Sequence, residues 1–257
     1  MPGPPTADPP PRPHPPPTAE KPAGLRLLTY NVHGLHDDAG ALVRVIRAAA
    51  PDVVSVQEAP RRFRWRHRCA ELARRCGLLV ASGGGPALGN LILVDLRVRV
   101  HQAWSMRYPL TPGRHMRGAA FARCSVAGSR FLVAGTHLST DPVERPTQAA
   151  LLRAAISSSV DPVLLAADLN DTAGTLAWRT LADGRADAAG VAGAAKTPTF
   201  SVASPRRRID AVFADPRCTV TGYQVLDTPD VRCASDHFPV LVEVAVPVRR
   251  DTSSVTV

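Results

Sequence analysis

The pentapeptide Ser235-Asp236-His237-Phe238-Pro239 decides the fold, because it is the last in a series of polar motifs that each lie at the end of an apolar run. Towards the N-terminus, the same arrangement recurs at Asp210, Asp168 with Asn170, His137, Glu58 and Asn31. Apolar strands that repeatedly end in carboxylate, amide or imidazole groups indicate a site assembled from strand termini. Oxygen ligands and proton carriers that converge in this way predict a metal-assisted hydrolase.

Length and composition indicate one folded domain with an extension. The chain has 257 residues, of which 45% are hydrophobic, and can bury one large α/β core. Eleven of the 25 prolines fall within the first 22 residues, which excludes a helix or a sheet interior there. We therefore expect a disordered proline-rich arm at residues 1–24, a domain at 25–248 and a flexible tail at 249–257.

The remaining composition gives expectations about partners and location. The five cysteines are odd in number and lack zinc-site spacing, which argues against a disulfide framework or a structural zinc. The sequence shows neither a secretory signal nor an apolar run of the roughly 20 residues that a membrane helix needs, so we expect a cytoplasmic monomer without stable membrane insertion. The formal charge of +9 favours polyanions such as nucleic acid, although its strong arginine bias lowers the weight of that argument.

Hydrophobic periodicity predicts alternating strands and helices. Strands are predicted at 25–30, 53–56, 91–94, 98–104, 118–126, 131–138, 163–167, 209–213, 219–226 and 238–246, and helices at 37–49, up to about 76 and at about 144–156. Residues 82–86 predict a turn, and residues 104–108 suit a small exposed hairpin. Two β-rich halves of this kind would pack sheet on sheet with helices outside.

Eight segments together resemble a known family. They are LLTYNVHG (27–34), VVSVQE (53–58), GNLIL (89–93), MRGAAF (116–121), LVAGTHL (132–138), VLLAADLND (163–171), RRIDAVF (207–213) and SDHFPV (235–240). In this order they resemble the endonuclease/exonuclease/phosphatase superfamily over residues 25–246, and TPTF (197–200) is similar to its small bacterial members. The resemblance implies a four-layer α/β sandwich, in which two packed, mostly antiparallel sheets are flanked by helices, and phosphoester hydrolysis with Mg²⁺ or Mn²⁺.

The resemblance also implies a set of metal ligands. Glu58, Asn31 and Asp236 match the residues that hold the cation in the family. A hard divalent ion prefers carboxylate and amide oxygens, and it neutralises the charge on phosphate oxygens during hydrolysis. The structural alternatives are a surface carboxylate after a strand for Glu58 and a turn cap for Asn31.

By the same resemblance, His237 is a catalytic residue. An imidazole titrates near neutral pH and can take a proton from water or hydrogen-bond a phosphate. Asp210 matches the carboxylate that would fix its tautomer. The alternative for Asp210 is a salt bridge to Arg207 or Arg208.

Five further residues match family positions. Asp168 and Asn170 would orient or deprotonate the attacking water and bind phosphate, and His137 would contact phosphate or protonate the leaving oxygen. Arg117 and Asn90 match substrate-binding positions beside the cleft, and the planar guanidinium suits phosphate. The alternatives are an Asx-rich turn at 168–170 and a structurally satisfied histidine at 137.

Three classes of function remain open at this point. An endonuclease or exonuclease is favoured slightly, because five arginines between 61 and 68 interleave with Phe63 and Trp65, and Arg206–Arg208 lies beside Asp210. A phosphatase or a phospholipase such as a sphingomyelinase is the alternative, and a noncatalytic binding protein is the third. For the 61–68 cluster, we prefer a solvated helix face whose two aromatic rings point into the core.

Overall fold

A computed structural model describes residues 22–248 of the chain. The predicted tail at 249–257 and nearly all of the predicted arm at 1–24 lie outside these residues. The first strand begins at Ala23, two residues before the expected start of the domain, because Ala23 pairs with Val246 and Gly24 with Ala245. No helix in this range is long and apolar enough to cross a bilayer.

The described range contains twelve strands and six α-helices. The strands are β1 Ala23–Asn31, β2 Val53–Gln57, β3 Leu79–Gly83, β4 Leu91–Val94, β5 Arg99–Arg107, β6 Gly118–Val126, β7 Ser129–His137, β8 Val163–Asp168, β9 Ala186–Asp187, β10 Asp210–Ala214, β11 Thr219–Val225 and β12 Val240–Val246. The helices are α1 Ala39–Ala49, α2 Trp65–Cys76, α3 Arg145–Ser157, α4 Leu176–Ala182, α5 Ala188–Val191 and α6 Pro229–Ala234.

The strands form two six-stranded sheets. Sheet 1 has the order β11-β12-β1-β2-β4-β3, and sheet 2 has the order β5-β6-β7-β8-β10-β9. Each sheet contains one parallel pair, β1 with β2 and β7 with β8, and its other neighbours are antiparallel. The predicted four-layer α/β sandwich is confirmed.

Three apolar cores separate the four layers. Leu27 and Val133 belong to the core between the sheets, where side chains from both inner faces pack together. The outer face of sheet 1 packs against α1, α2 and α6, and the outer face of sheet 2 packs against α3 and α4. Helix α1 begins after Asp38, whose carboxylate accepts the free N–H groups of Gly40 and Ala41.

The sheets approach each other closely where Gly135 of β7 faces Ser55 of β2. A Cβ added at Gly135 would lie 2.5 Å from Oγ of Ser55, so this position has no room for a side chain. The same Oγ donates a hydrogen bond of 3.2 Å to the Ala166 carbonyl of sheet 2. This contact holds the C-terminal ends of β2, β7 and β8 on the same side of the molecule.

Three local predictions need correction. The turn predicted at 82–86 begins two residues later, because residues 82 and 83 still belong to β3, whose register shifts between Val80 and Ser82. The 104–108 segment is no hairpin, because residues up to Arg107 continue β5 and Tyr108 is buried. Helix α2 begins only at Trp65, so Phe63 lies outside it and is 87% exposed rather than part of the core.

Candidate active site

The candidate active site forms where the two parallel strand pairs end. Asn31 ends β1, Glu58 follows β2, and His137 and Asp168 are register partners at the ends of β7 and β8. The Nδ2 atom of Asn31 donates a hydrogen bond of 2.9 Å to Oδ2 of Asp168. Since Asn31 belongs to sheet 1 and Asp168 to sheet 2, this bond joins the two sheets within the site.

His237 and Asp210 complete the buried part of the site. Asp210 begins β10 and is the antiparallel partner of Asp168, which places the two carboxylates side by side. Nδ1 of His237 lies 3.0 Å from Oδ2 of Asp210, and its Nε2 lies 3.7 Å from Oδ2 of Asp168. The Phe200 ring of the TPTF segment packs on His237 with the ring centroids 4.7 Å apart.

The structural alternative for Asp210 does not hold. Arg208 instead forms a two-pronged ion pair with Asp187, with distances of 3.1 and 2.7 Å. Arg207 lies over the Phe200 ring. Asp210 is therefore directed to His237, as the sequence predicted.

The buried charges control the protonation state of His237. Burial by itself lowers the pKa of His237, but the negative charges of Asp210 and Asp168 and the hydrogen bond to Asp210 outweigh it and raise the pKa to about 10. The ring is therefore an imidazolium at neutral pH in the metal-free protein. In this state it can donate a hydrogen bond to a phosphate but cannot take a proton from water.

Asp168 is the carboxylate whose pKa the network keeps below its ordinary value, so it stays ionised. Burial would raise the pKa of Asp168, but His137, His237 and hydrogen bonds from Asn31 and the Asn170 N–H reverse the effect and lower it. Oδ2 of Asp168 also lies 3.2 Å from Nε2 of His137. An ionised carboxylate that is surrounded by donors can orient and deprotonate a water molecule.

His137 is held neutral in the same network. Burial is the main cause that lowers its pKa to about 4, and the positive charge of Arg117 lowers it further. An Arg117 N–H donates to Nδ1 of His137 at 2.8 Å, and the Asn170 side-chain amide lies 2.8 Å from Nε2. The Nε of Arg117 is buried and has no hydrogen-bond partner among residues 22–248. Arg117 therefore keeps a free donor beside the site.

Asn90 is placed differently from the other predicted residues. It is buried, and its amide nitrogen donates to the backbone carbonyls of Ala87 and Gly118 at 2.8 and 2.9 Å. These bonds connect the ends of two loops behind the cleft. The structure gives Asn90 no contact with the other site residues, and its role in substrate binding stays a prediction.

Glu58 faces solvent, unlike the buried carboxylates. Its side chain is 37% exposed, and its Oε1 lies 3.3 Å from the Asn31 amide nitrogen and 3.8 Å from Nδ1 of His137. The backbone of Glu58 has a φ of +57°, a left-handed conformation that costs a non-glycine residue about 1–2 kcal/mol. This turn directs the carboxylate into the cleft rather than along the strand.

Asp236 is the third predicted metal ligand. It is half-buried, and its carboxylate makes no hydrogen bond or ion pair with any residue in the described range. The pKa of His33 is raised first by its hydrogen bond to Asp37 and further by the carboxylates of Asp236 and Glu58. Asp236 and Glu58 therefore act on the same side chain and have free lone pairs, as the donor set of a hard cation requires.

A second group of possible ligand atoms lies deeper. Ligand atoms of Asp168, Asp210 and His237 lie within 4.8 Å of one another, and all three side chains are buried. Mg²⁺ retains several of its water molecules when it binds to proteins. The solvent-facing side at Glu58 therefore suits a hydrated ion better, and the buried trio suits proton handling.

An arginine-rich cleft of about 500 Å³ opens beside Glu58. It is lined by Gly34, His36, Glu58, Ala59, Pro60, Arg61, Arg62, Arg68, Leu88, His115, Arg117 and His137. His36 and His115 stand in none of the motifs of the sequence analysis. The sequence signal for them is their proximity to Asn31 and to Arg117, which is too general to select them.

The family model for the endonuclease/exonuclease/phosphatase family matches residues 28–237, which is most of the domain. The chain belongs to this family. The match spans Asn31, Glu58, His137, Asp168, Asp210 and His237, the residues that converge in the site. A search of curated proteins found no match.

Solved structures share the fold of this family member. An endonuclease/exonuclease/phosphatase from Beutenbergia cavernae is 26% identical, with a TM-score of 0.66 over 87% of this chain and 72% of that one. TDP2 of D. rerio, complexed with a single-strand DNA product, is 20% identical, with a TM-score of 0.70 over 86% and 99%. A mannosyl-6-phosphatase of Bacteroides thetaiotaomicron is 17% identical, with a TM-score of 0.67 over 86% and 99%.

Proposed function

We propose that this family member is a divalent-metal-dependent phosphodiesterase that cleaves nucleic acid. The observation that carries the proposal is the convergence of an ionised carboxylate, Asp168, with cationic and amide donors beside a cleft rich in arginine. Hydrolysis of a phosphodiester needs an activated water and positive charge around the phosphate oxygens. The arrangement supplies both.

The residues take separate roles in the proposed reaction. Asp168 orients and deprotonates the attacking water. The imidazolium of His237, held by Asp210, donates a hydrogen bond to a nonbridging oxygen of the phosphate. Asn170 and Arg117 bind the remaining phosphate oxygens, since both present donors beside His137. His137, held neutral, accepts from Arg117 at Nδ1 and positions that donor, while the Asn170 amide is held by its bond to the Leu138 carbonyl.

Mg²⁺ or Mn²⁺ is the proposed cofactor, and Glu58, Asn31 and Asp236 would hold it. When bound, such an ion neutralises charge on the phosphate and leaving-group oxygens. The two carboxylates fit this role because Asp236 makes no hydrogen bond or ion pair with the described residues, and the contacts of Glu58 with the Asn31 amide and with His137 are long. Arginine side chains in the cleft add positive charge for a polyanionic substrate.

Two of the solved relatives indicate the range of substrates to test. One is named as a complex with a single-strand DNA product, and the other is named a mannosyl-6-phosphatase. The high arginine content of the cleft favours a polymer with repeated phosphates over a single phosphomonoester. We therefore place nuclease activity before phosphatase or phospholipase activity.

A substrate panel tests the proposal. Single- and double-stranded DNA, RNA, sphingomyelin, inositol phosphates and a sugar phosphate are each incubated with Mg²⁺, Mn²⁺ or EDTA. We expect release of products from nucleic acid with either metal and none with EDTA. Arg130→Ala, at the opposite end of β7 from His137, is the control for purification and folding. Metal-dependent turnover of the lipid or sugar phosphate alone would replace the nuclease proposal.

A further inference from the structure

Two depressions adjoin between the active site and the exposed ring of Phe63. Arg62 and Arg68 line both the cleft that contains Glu58 and the depression that contains Phe63. The two depressions therefore share one wall. We call the wall formed by Arg61, Arg62, Phe63, Arg64, His67 and Arg68 the arginine groove.

The positive charge of the arginine groove is largely uncompensated. The side chains of Arg62, Arg64 and Arg68 form no ion pair with any residue between 22 and 248. Among the described lining residues of both depressions, Glu58 is the one carboxylate, and it belongs to the active site. Guanidinium groups that face a common groove without partners favour a chain of phosphates as the ligand.

Phe63 adds a flat apolar surface to this charge. At 87% exposure it is the most exposed large hydrophobic residue in the described range, and its ring contacts no other aromatic ring there. It lies between Arg62 and Arg64 in the loop before α2. An exposed aromatic ring in a wall that unpaired arginines also line is typical of surfaces on which unpaired bases stack.

We propose that the arginine groove binds single-stranded nucleic acid, with the phosphates along Arg62 and Arg68 and an unpaired base stacked on Phe63. This inference rests on the proposed function, because the strand would enter the active site at the Glu58 end of the groove. Bases inside a duplex already stack on one another and simple phosphoesters carry no base, so neither gains much from Phe63. Phe63 is then a determinant of strand specificity.

Binding without turnover tests the proposal directly. The full chain is titrated in EDTA with a single-stranded oligonucleotide that carries 2-aminopurine, as DNA and as RNA, and with the matching duplex. We expect Phe63→Ala to weaken single-strand binding by about 10-fold or more, since one stacked base contributes about 1–3 kcal/mol. Phe63→Tyr should retain the affinity and the quenching of 2-aminopurine. Leu96→Ala, a truncation of another exposed apolar residue, is the matched control.

Salt dependence tests the arginines separately. Arg62→Ala and Arg68→Ala should each reduce the slope of log affinity against log salt by about 1, as expected for one lost phosphate contact. Arg130→Ala, which lies away from the groove, should leave the slope unchanged. If the slope of log affinity against log salt is the same in all three variants, Arg62 and Arg68 do not contact the phosphates.

The outcomes separate this proposal from the proposed function. If Phe63→Ala binds the single strand as tightly as the parent protein does, the stacking role is overturned. It is also overturned if Phe63→Ala loses as much affinity for the duplex as for the single strand. Binding to anionic phospholipid vesicles but not to oligonucleotides would also overturn it. Tighter binding of DNA or of RNA would support it and identify the strand. Oligonucleotide binding without hydrolysis of any phosphodiester in the metal panel would reject the enzyme and leave the groove assignment intact.

Discussion

Nδ1 of His237 lies 3.0 Å from Oδ2 of Asp210, and solvent reaches almost none of either side chain. The sequence places 26 residues between them, and the fold brings them together because β10 pairs with β8 while the segment after α6 crosses the same end of the sheets. A buried carboxylate on one ring nitrogen fixes the tautomer of an imidazole and stabilises its protonated form.

The first prediction concerns this pair. Asp210→Asn removes the negative charge but keeps a polar neighbour, while burial still opposes protonation of the ring. The pKa of His237 should therefore fall from about 10 towards the ordinary histidine value of about 6.5. Histidine titration by NMR in EDTA measures it, with His101 as an internal reference far from the site. An unchanged pKa in Asp210→Asn would mean that Asp210 does not control His237.

The sign of the linked stability effect follows from the same shift. The pKa of His237 is higher in the folded protein than in the unfolded chain, so its contribution to stability is complete below about pH 6.5. That contribution is lost as the pH rises through about 10. Asp210→Asn should reduce this loss. Chemical denaturation in EDTA at pH 6 and at pH 9.5 measures it as the difference in the free energy of unfolding.

The second prediction concerns Asp168. Asp168→Asn keeps the shape of the side chain but removes its basicity, so we expect kcat to fall by about 10²–10⁴-fold. The preferred substrate of the panel is used, and Arg130→Ala serves as the control. Circular dichroism should show that the fold is retained. Parent-like turnover by Asp168→Asn would exclude Asp168 as the base.

The third prediction concerns stability away from the site. Arg208 is almost fully buried, lies over the Trp178 ring and forms a two-pronged ion pair with Asp187. Asp187→Ala would leave a buried charge without its partner and should destabilise the protein by about 3–5 kcal/mol. Urea denaturation measures the change. Asp230→Ala breaks the exposed pair with Arg44 and should have little effect. Equal losses of unfolding free energy in the two variants would show that burial does not determine how much an ion pair contributes to stability.

The fourth prediction concerns the contact between the sheets. Gly135→Ala places a methyl group 2.5 Å from Oγ of Ser55 and should cost about 1–3 kcal/mol through overpacking. Gly24→Ala adds the same atom in β1, where nothing lies within 4 Å, and should be neutral or slightly stabilising. Thermal unfolding of both variants compares them. A Gly135→Ala variant as stable as Gly24→Ala would mean that the sheets separate easily.

The fifth prediction concerns thiol reactivity. Burial raises the pKa of Cys69 and Cys76 to about 11 and that of Cys124 and Cys218 to about 12, whereas Cys233 is exposed. Because the thiolate is the reactive form, the four buried thiols should resist alkylation at pH 8. Mass spectrometry after brief iodoacetamide treatment should find Cys233 modified first. Rapid labelling of Cys124 would reveal local opening of the core.

The convergence of the candidate site residues could be predicted because each stands in a short motif at one end of an apolar strand. His237, Asp210 and Asp168 share no sequence neighbourhood, yet the family resemblance placed all three, and the sheets bring them together. Phe63 could not be placed in this way. Its exposure depends on where α2 begins, and Arg64, which precedes the helix, has a φ of +57° and no capping side chain that would mark that start in the sequence.

Asn90 shows the opposite limit of prediction. Its motif suggested a substrate contact, which stays a prediction: the amide nitrogen donates to two backbone carbonyls in the interior, and the amide oxygen has no hydrogen-bond partner among the described residues. A polar residue beside a glycine has the same sequence signature whether it faces a cleft or closes a loop. Only the three-dimensional arrangement of its neighbours distinguishes the two cases.

The hydrogen bond from Asn31 to Asp168 makes the site sensitive to the position of one sheet relative to the other. The candidate active site lies between the sheets, with Asn31 and Glu58 contributed by one sheet and Asp168, Asp210 and His137 by the other. A small slip of one sheet over the other would separate the two sets of side chains while every strand stayed intact. We therefore expect turnover to respond to a shift between the sheets that circular dichroism would not detect.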